Sequence, residues 1–181
     1  IDRAQFPRPH IGEALQPAAI ELLDFHLGLG PLIAAQGFAK KYGAIYEWGE
    51  DHQRWNVLYD ARLDAGTEGF SRADIESGSF EHSFQVDRSV FDKLLLDHAA
   101  ERGVQVRCGV EAKTPIMDGD RVIGMTVLAG EREEQLMADI VVDATGTRAV
   151  LGKHFGLTRP ITDLKATATW CYVRGAGGIG P

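Results

Sequence analysis

The segment Ala138-Asp139-Ile140-Val141-Val142-Asp143-Ala144-Thr145-Gly146-Thr147-Arg148 constrains the fold more than any other part of the chain. Its β-branched run from Ile140 to Val142 predicts a buried strand over 139–143 that ends in an acid. A small-residue turn with one glycine follows. The apolar set Ala149, Val150, Leu151, His154 and Phe155 then predicts a helix over 148–156. A strand running into a glycine turn that opens a helix brings backbone N–H groups up to a phosphate or ribose. A carboxylate at the strand end, here Asp143, accepts hydrogen bonds from a sugar or cofactor hydroxyl. The same pattern serves as an ordinary turn in many α/β proteins, so it predicts a fold class before it predicts a ligand.

The remaining pattern agrees with a mixed α/β domain. Residues 1–9 resemble a strand end followed by a proline-rich loop. From Ile11 to about Leu29 the residues Leu15, Ala18, Ala19, Leu22, Leu23 and Phe25 recur near helical spacing, and Gly28 and Gly30 end the run. Residues 31–35 add a helical turn. Segments 42–48 and 55–59 predict two strands across a polar turn, and 61–82 a loop with one helical turn. Ser83 to Val86 predicts a short strand, with Asp87 as N-cap of a helix whose apolar face is Val90, Phe91, Leu94, Leu95 and Ala99; Gly103 stands at its C-cap. Residues 104–106 resume extended structure. Residues 121–128 and 134–136 form a meander around the turn signal Asp118-Gly119-Asp120, and 165–174 predicts a last strand.

Composition narrows the function classes. At 181 residues the chain supports one well-buried domain, 1–181. A formal net charge of −7, with no basic stripe, argues against nucleic acid as a partner. No apolar run approaches the ~20 residues of a membrane span. Cys108 and Cys171 have neither metal-ligand nor disulfide spacing, so a reducing cytoplasm is the expected compartment. His10, His26, His52, His82, His98 and His154 form no i,i+4 pair, so no metal site is expected. Trp48, Trp55 and Trp170 are expected in the core or on a sheet face.

Four segments, in order, carry a family resemblance: Phe6-Pro7-Arg8-x-His10-Ile11-Gly12-Glu13-Ala14-Leu15-x-Pro17; Gly37-Phe38-x-x-Lys41-x-Gly43-x-x-x-x-Trp48-Gly49; Phe84-Gln85-Val86-x-Arg88-x-x-Phe91-Asp92-x-Leu94-Leu95; and Val141-Val142-Asp143-Ala144-Thr145-Gly146. Together they resemble the FAD-dependent monooxygenase superfamily, and within it the flavin-dependent halogenases. Ala14 departs from the serine usual in that branch. The resemblance implies a Rossmann-like FAD-binding domain of the glutathione-reductase type with an inserted antiparallel β layer. Strands near 40–60 and 165–174 would lie on its substrate side.

It also implies an internal fragment, truncated at both ends, whose G-x-G-x-x-G unit lies upstream of Ile1. The Gly175-Ala176-Gly177-Gly178-Ile179-Gly180 stretch fits that fingerprint by letter only, since no helix follows it.

The implied activity is oxygenation or halogenation of an electron-rich small molecule, aromatic or carrier-bound, through a flavin hydroperoxide. FAD would be reduced by NAD(P)H directly or through a separate flavin reductase, and chloride or bromide would be the halide. Lys41 stands where halogenases carry a lysine that handles hypohalous acid, a task suited to a compact ammonium donor. By the same resemblance Asp2 accepts from the adenosine ribose, and Arg8 pairs with a phosphate or carboxylate. Gly12 and Glu13 open a helix beside the flavin ring, and Arg88 faces the cofactor. Asp143 and Gly146 hold the ribose and pyrophosphate. Gln85 is a secondary cofactor candidate. The alternative is a non-catalytic, flavin-free α/β module kept for partner binding.

Overall fold

The computed structural model describes residues 1–60, 81–163, 167–171, 173 and 175, with Trp48 described by its backbone alone. Contacts divide the chain into two units, Ile1–Glu111 with Ala129–Glu131, and Ala112–Leu128 with Arg132–Pro181.

The first unit contains α1 (Pro17–Leu27), α2 (Gly30–Ala35), β1 (Ala39–Lys41), β2 (Gly43–Trp48), β3 (Gln53–Leu58), β4 (Ser83–Gln85) and α3 (Arg88–Glu101). The helix predicted from Ile11 instead begins at Pro17, whose fixed φ and missing donor suit the first helical position. Gly28, at φ 65°, ends it, and the Leu29 N–H returns to the Leu23 carbonyl at 3.1 Å. That reversal delivers Leu29 and Ile33 into a core with Phe84, Val86 and Phe91, flanked by Leu15, Ile20, Leu23, Phe38, Leu94 and Leu95. The Phe38 and Phe91 rings meet edge to face, 6.4 Å between centroids.

β1 pairs antiparallel with β4, setting Ala39, Lys40 and Lys41 opposite Gln85, Phe84 and Ser83. On the other edge of β4, Ala14 bridges Gln85, fixed by Leu15 N–H to Phe84 O at 3.0 Å and Val86 N–H to Glu13 O at 2.8 Å. Phe84 and Val86 face the core, so the alternation of a strand sends Ser83 and Gln85 the other way. Ala39 and Lys41 share that outer face. β2 and β3 form the expected hairpin, on which Tyr46 and Trp55 stack at 4.3 Å. Trp55 is half exposed, a sheet-face residue rather than a core one.

Asp87 caps α3 as the sequence predicts, its carboxylate accepting from the Ser89 N–H at 2.8 Å. The C-cap is Arg102, and Gly103 follows it at φ 91°. Residues 104–106 form no strand. The chain pairs next at Cys108, which makes a parallel bridge to Asp2.

The second unit is built on the inserted antiparallel layer β5 (Val110–Asp118), β6 (Arg121–Ala129) and β7 (Arg132–Met137), in that order across the sheet. Beyond it lie a 3₁₀ turn, Gly146–Arg148, and α4 (Val150–His154), shorter than the predicted 148–156 helix.

The segment 139–143 departs furthest from expectation. It is no strand, and Ile140 and Val142 are each 81% exposed, because no described strand pairs with it to cover them. Residues 167–171 and 173 of the expected 165–174 strand do not form one, and Trp170 is half exposed, so it is no core residue. Residues 61–80 of the expected 61–82 loop, and the glycine run after Gly175, lie outside the described residues. The architecture is mixed α/β with antiparallel sheets. Among the described residues no helix is long and apolar enough to cross a membrane.

Candidate functional site

The first unit gathers most of the candidates around the loop that precedes α1. Arg88 opens α3, and its guanidinium is held on three sides. Its Nε and Nη2 donate to the two carboxylate oxygens of Asp92 at 2.7 and 3.0 Å. Its Nη1 donates to the Ile11 carbonyl at 2.8 Å and, at 3.4 Å, to that of Gly12. A cation in the first helical turn opposes the helix dipole, and Asp92 one turn on offsets that cost. Arg88 therefore ties the 11–12 loop to α3.

Gly12 has φ 96°, and a Cβ there would lie 3.1 Å from Arg88 Nη1. Only glycine meets both demands without strain. Its backbone is exposed to solvent. Glu13 turns back, its Oε2 accepting from the Gly12 N–H at 3.0 Å. These two residues do not open a helix as expected. Residues 13–15 run along β4 first, and the helix waits for Pro17.

Asp2 receives the Ala4 N–H on Oδ1 at 2.8 Å, and no described residue bonds its Oδ2. The backbone around it is fixed by Asp2 N–H to Arg107 O and Val110 N–H to Asp2 O, at 2.9 and 3.0 Å. Arg8 is half-buried with its guanidinium carbon 4.9 Å from the Phe6 ring centroid. No described carboxylate pairs with it, so its charge is available to an anion.

Lys41 is the last residue of β1, half-buried, with Nζ 5.5 Å from the Tyr59 ring centroid. The Tyr59 hydroxyl donates to Gln16 Oε1 at 3.3 Å, and its N–H to the Tyr42 carbonyl at 2.9 Å. Lys41 thus sits where the chain leaves one strand pair and enters the next. Lys40 points to the opposite face and is exposed. Gln85 shares the outer face with Lys41 and is also exposed.

In the second unit the Asp143 carboxylate closes its own turn. Oδ1 accepts from the Thr145 N–H at 3.0 Å and hydroxyl at 2.6 Å, and Oδ2 from the Leu151 N–H at 2.8 Å. Led by the Thr145 hydroxyl, these donors pull its pKa down to about 2. Gly146 follows at φ 61° with no atom near an added Cβ, so its backbone is open on that side. Asp143 remains exposed with lone pairs to spare. Sequence reasoning gave no role to Tyr59, nor to Asp92 and Thr145, which stand within the segments that carry the resemblance. The i,i+4 spacing of Arg88 and Asp92 was a signal for their pairing.

Three comparisons bear on this arrangement. The family model described as tryptophan halogenase matches residues 61–167. The 1H-pyrrole-2-carbonyl peptidyl-carrier-protein chlorinase of Pseudomonas fluorescens is 31% identical over 177 residues, covering 94% of this chain and 39% of that protein. The tryptophan 2-halogenase of Chondromyces crocatus is 28% identical over 179 residues, covering 97% and 31%. The crystal structure of CmlS, a flavin-dependent halogenase, superposes with a TM-score of 0.68 at 34% identity, covering 85% of this chain and 26% of that one. The myxobacterial FAD-dependent halogenase CndH gives 0.65 at 30% identity, with 81% and 31% covered. The chain spans 39% and 31% of the length of the two curated relatives.

Proposed function

The chain belongs to the tryptophan halogenase family, and from that premise we propose that it forms the flavin-side part of an FAD-dependent halogenase. Its substrate is an electron-rich aromatic, free or presented on a carrier protein. The observation that carries this reading is the register of β1 on β4. It sets Lys41 on the outer face beside Gln85, away from the core and from Lys40.

The residues present suit the cofactor. Gly12 has an exposed backbone, and Arg88 fixes the carbonyls of that loop. In the first unit Asp2 keeps acceptor capacity for a ribose hydroxyl and Arg8 suits a phosphate; in the second, taken by itself, Asp143 keeps acceptor capacity for a hydroxyl and Gly146 an open backbone. When bound, FAD supplies the activation of O₂ that oxidises chloride or bromide. Lys41 donates from its ammonium to the resulting hypohalous acid and presents the halogen to the ring. The ring carbon takes the halogen, its hydrogen leaves as a proton, and the oxygen leaves as water. Reducing equivalents come from NAD(P)H, directly or through a flavin reductase. Two free cysteines, Cys108 and Cys171, support a cytoplasmic enzyme.

Holoenzyme supplied with reduced FAD, O₂, bromide and an electron-rich aromatic is expected to give a product with the bromine isotope pair. A product gaining only oxygen would refute halogenation in favour of hydroxylation. A protein that takes up no flavin would point to the non-catalytic module.

A further inference from the structure

The outer face of the β1–β4 pair holds one polar group that the proposed mechanism leaves unused. Ser83 has no exposed surface, and its Oγ has no hydrogen-bond partner among the described residues. Buried polar groups are almost always bonded, so an orphan of this kind calls for a partner. Ser83 is the register partner of Lys41. Directly opposed residues of an antiparallel pair project to the same face, with Cβ atoms ~4.5–5.5 Å apart. The Lys41 ammonium has three donors, and the Tyr59 ring beside it offers a π face and no lone pair. Its four-carbon stem can carry Nζ from that ring to the serine.

Two polar side chains of the adjoining segment 59–60 are already engaged. The Tyr59 hydroxyl bonds Gln16, and the buried Asp60 carboxylate accepts the Glu81 N–H at 3.0 Å.

Given the role proposed for Lys41, we propose that Ser83 is its positioning residue. The Ser83 hydroxyl accepts a hydrogen bond from the Lys41 ammonium and holds it on the outer face, with the Tyr59 ring as the alternative resting place. The serine touches neither cofactor nor substrate; it acts through the lysine. Lys40, opposite the buried Phe84, has no such acceptor across the ladder and serves as the internal control.

The test has two arms. In flavin-free protein, acylation of Lys41 and Lys40 by an amine-reactive ester is followed by fragment mass spectrometry at fixed pH. Ser83→Ala is expected to raise Lys41 labelling relative to Lys40 by about fivefold, the ratio one net hydrogen bond sustains, and Ser83→Thr to restore it. In the holoenzyme, Ser83→Ala should lower halogenated product per O₂ consumed by roughly the same factor while flavin reoxidation is unchanged. Ser83→Ala leaves no buried polar group behind at that position, and the ammonium keeps the Tyr59 ring to rest on, so the fold survives it. An unchanged Lys41-to-Lys40 labelling ratio overturns the proposal. So does a loss of flavin content that Thr fails to reverse. If Lys41→Ala halogenates at full rate, the proposed role of Lys41 falls, and the labelling ratio alone decides whether Ser83 holds the amine.

Discussion

Replacing Arg88 by alanine removes four hydrogen bonds at once and strands a carboxylate. The Asp92 side chain is 13% exposed and that of Arg88 22%, so the pair lies between two measured regimes. Exposed i,i+4 pairs contribute about 0.3–0.5 kcal/mol, whereas breaking a buried pair from one side costs about 3–5 kcal/mol. The forked contact and the bond to the Ile11 carbonyl put Arg88→Ala at about 2–3 kcal/mol, on the order of 5–10 °C in Tm for a chain of this size. Lysine keeps the charge but not the fork, and should recover less than half of the loss. The assay is urea and thermal unfolding of the single variants and of Arg88→Ala/Asp92→Ala. The account predicts a coupling energy of at least ~1.5 kcal/mol. It also predicts weaker FAD binding in Arg88→Ala, because the 11–12 loop is released. A loss below ~0.5 kcal/mol with no coupling to Asp92 would refute the reasoning.

Gly12→Ala should cost about 1–2 kcal/mol from its positive φ alone, with a further loss as its Cβ meets Arg88, and weaken FAD in a fluorescence titration by about tenfold. Asp87→Ala should destabilise α3 by ~1 kcal/mol in urea unfolding, since the Ser89 N–H loses its acceptor. The Asp143 pKa of about 2 lies below the ordinary ~3.9, so its contribution is fully present above the ordinary value and is lost as pH falls through the folded one. The carboxyl carbon of Asp143 should therefore titrate near 2 by NMR, and the Thr145 and Leu151 amides should lose protection between about pH 4 and 2. A midpoint near 4 would dismiss the three-donor cap.

Local chemistry made much of this structure legible. Asp87 before Val90 and Phe91 announced a capped helix, and the alternating aromatic runs on either side of residue 50 announced the hairpin. Elements that exist only through a distant partner were harder to see. β1 is Ala-Lys-Lys, too short and too polar to show a period, and it is a strand because β4 supplies the ladder. Gly12 and Glu13 looked like a helix start because apolar spacing begins at Ile11; the β4 edge claims 13–15 first. The 139–143 run has the composition of a buried strand, yet burial needs neighbours on both faces and its exposed Ile140 and Val142 have none among the described residues. Asp143 reads in the sequence as a ligand acceptor, and its three hydrogen bonds close its own turn. Ser83 could not be singled out at all, since its meaning rests on a register that only the fold defines.

The central claim is that Lys41, by its face and not its charge alone, delivers the halogen. The most direct measurement compares halogenated product per O₂ consumed for Lys41→Ala and Lys40→Ala in the holoenzyme, with flavin reoxidation followed alongside. The account predicts that Lys41→Ala reoxidises flavin normally yet makes on the order of a hundredfold less halogenated product, as when a general acid–base or donor group is lost, while Lys40→Ala matches the parent. Equal product from both variants would contradict it.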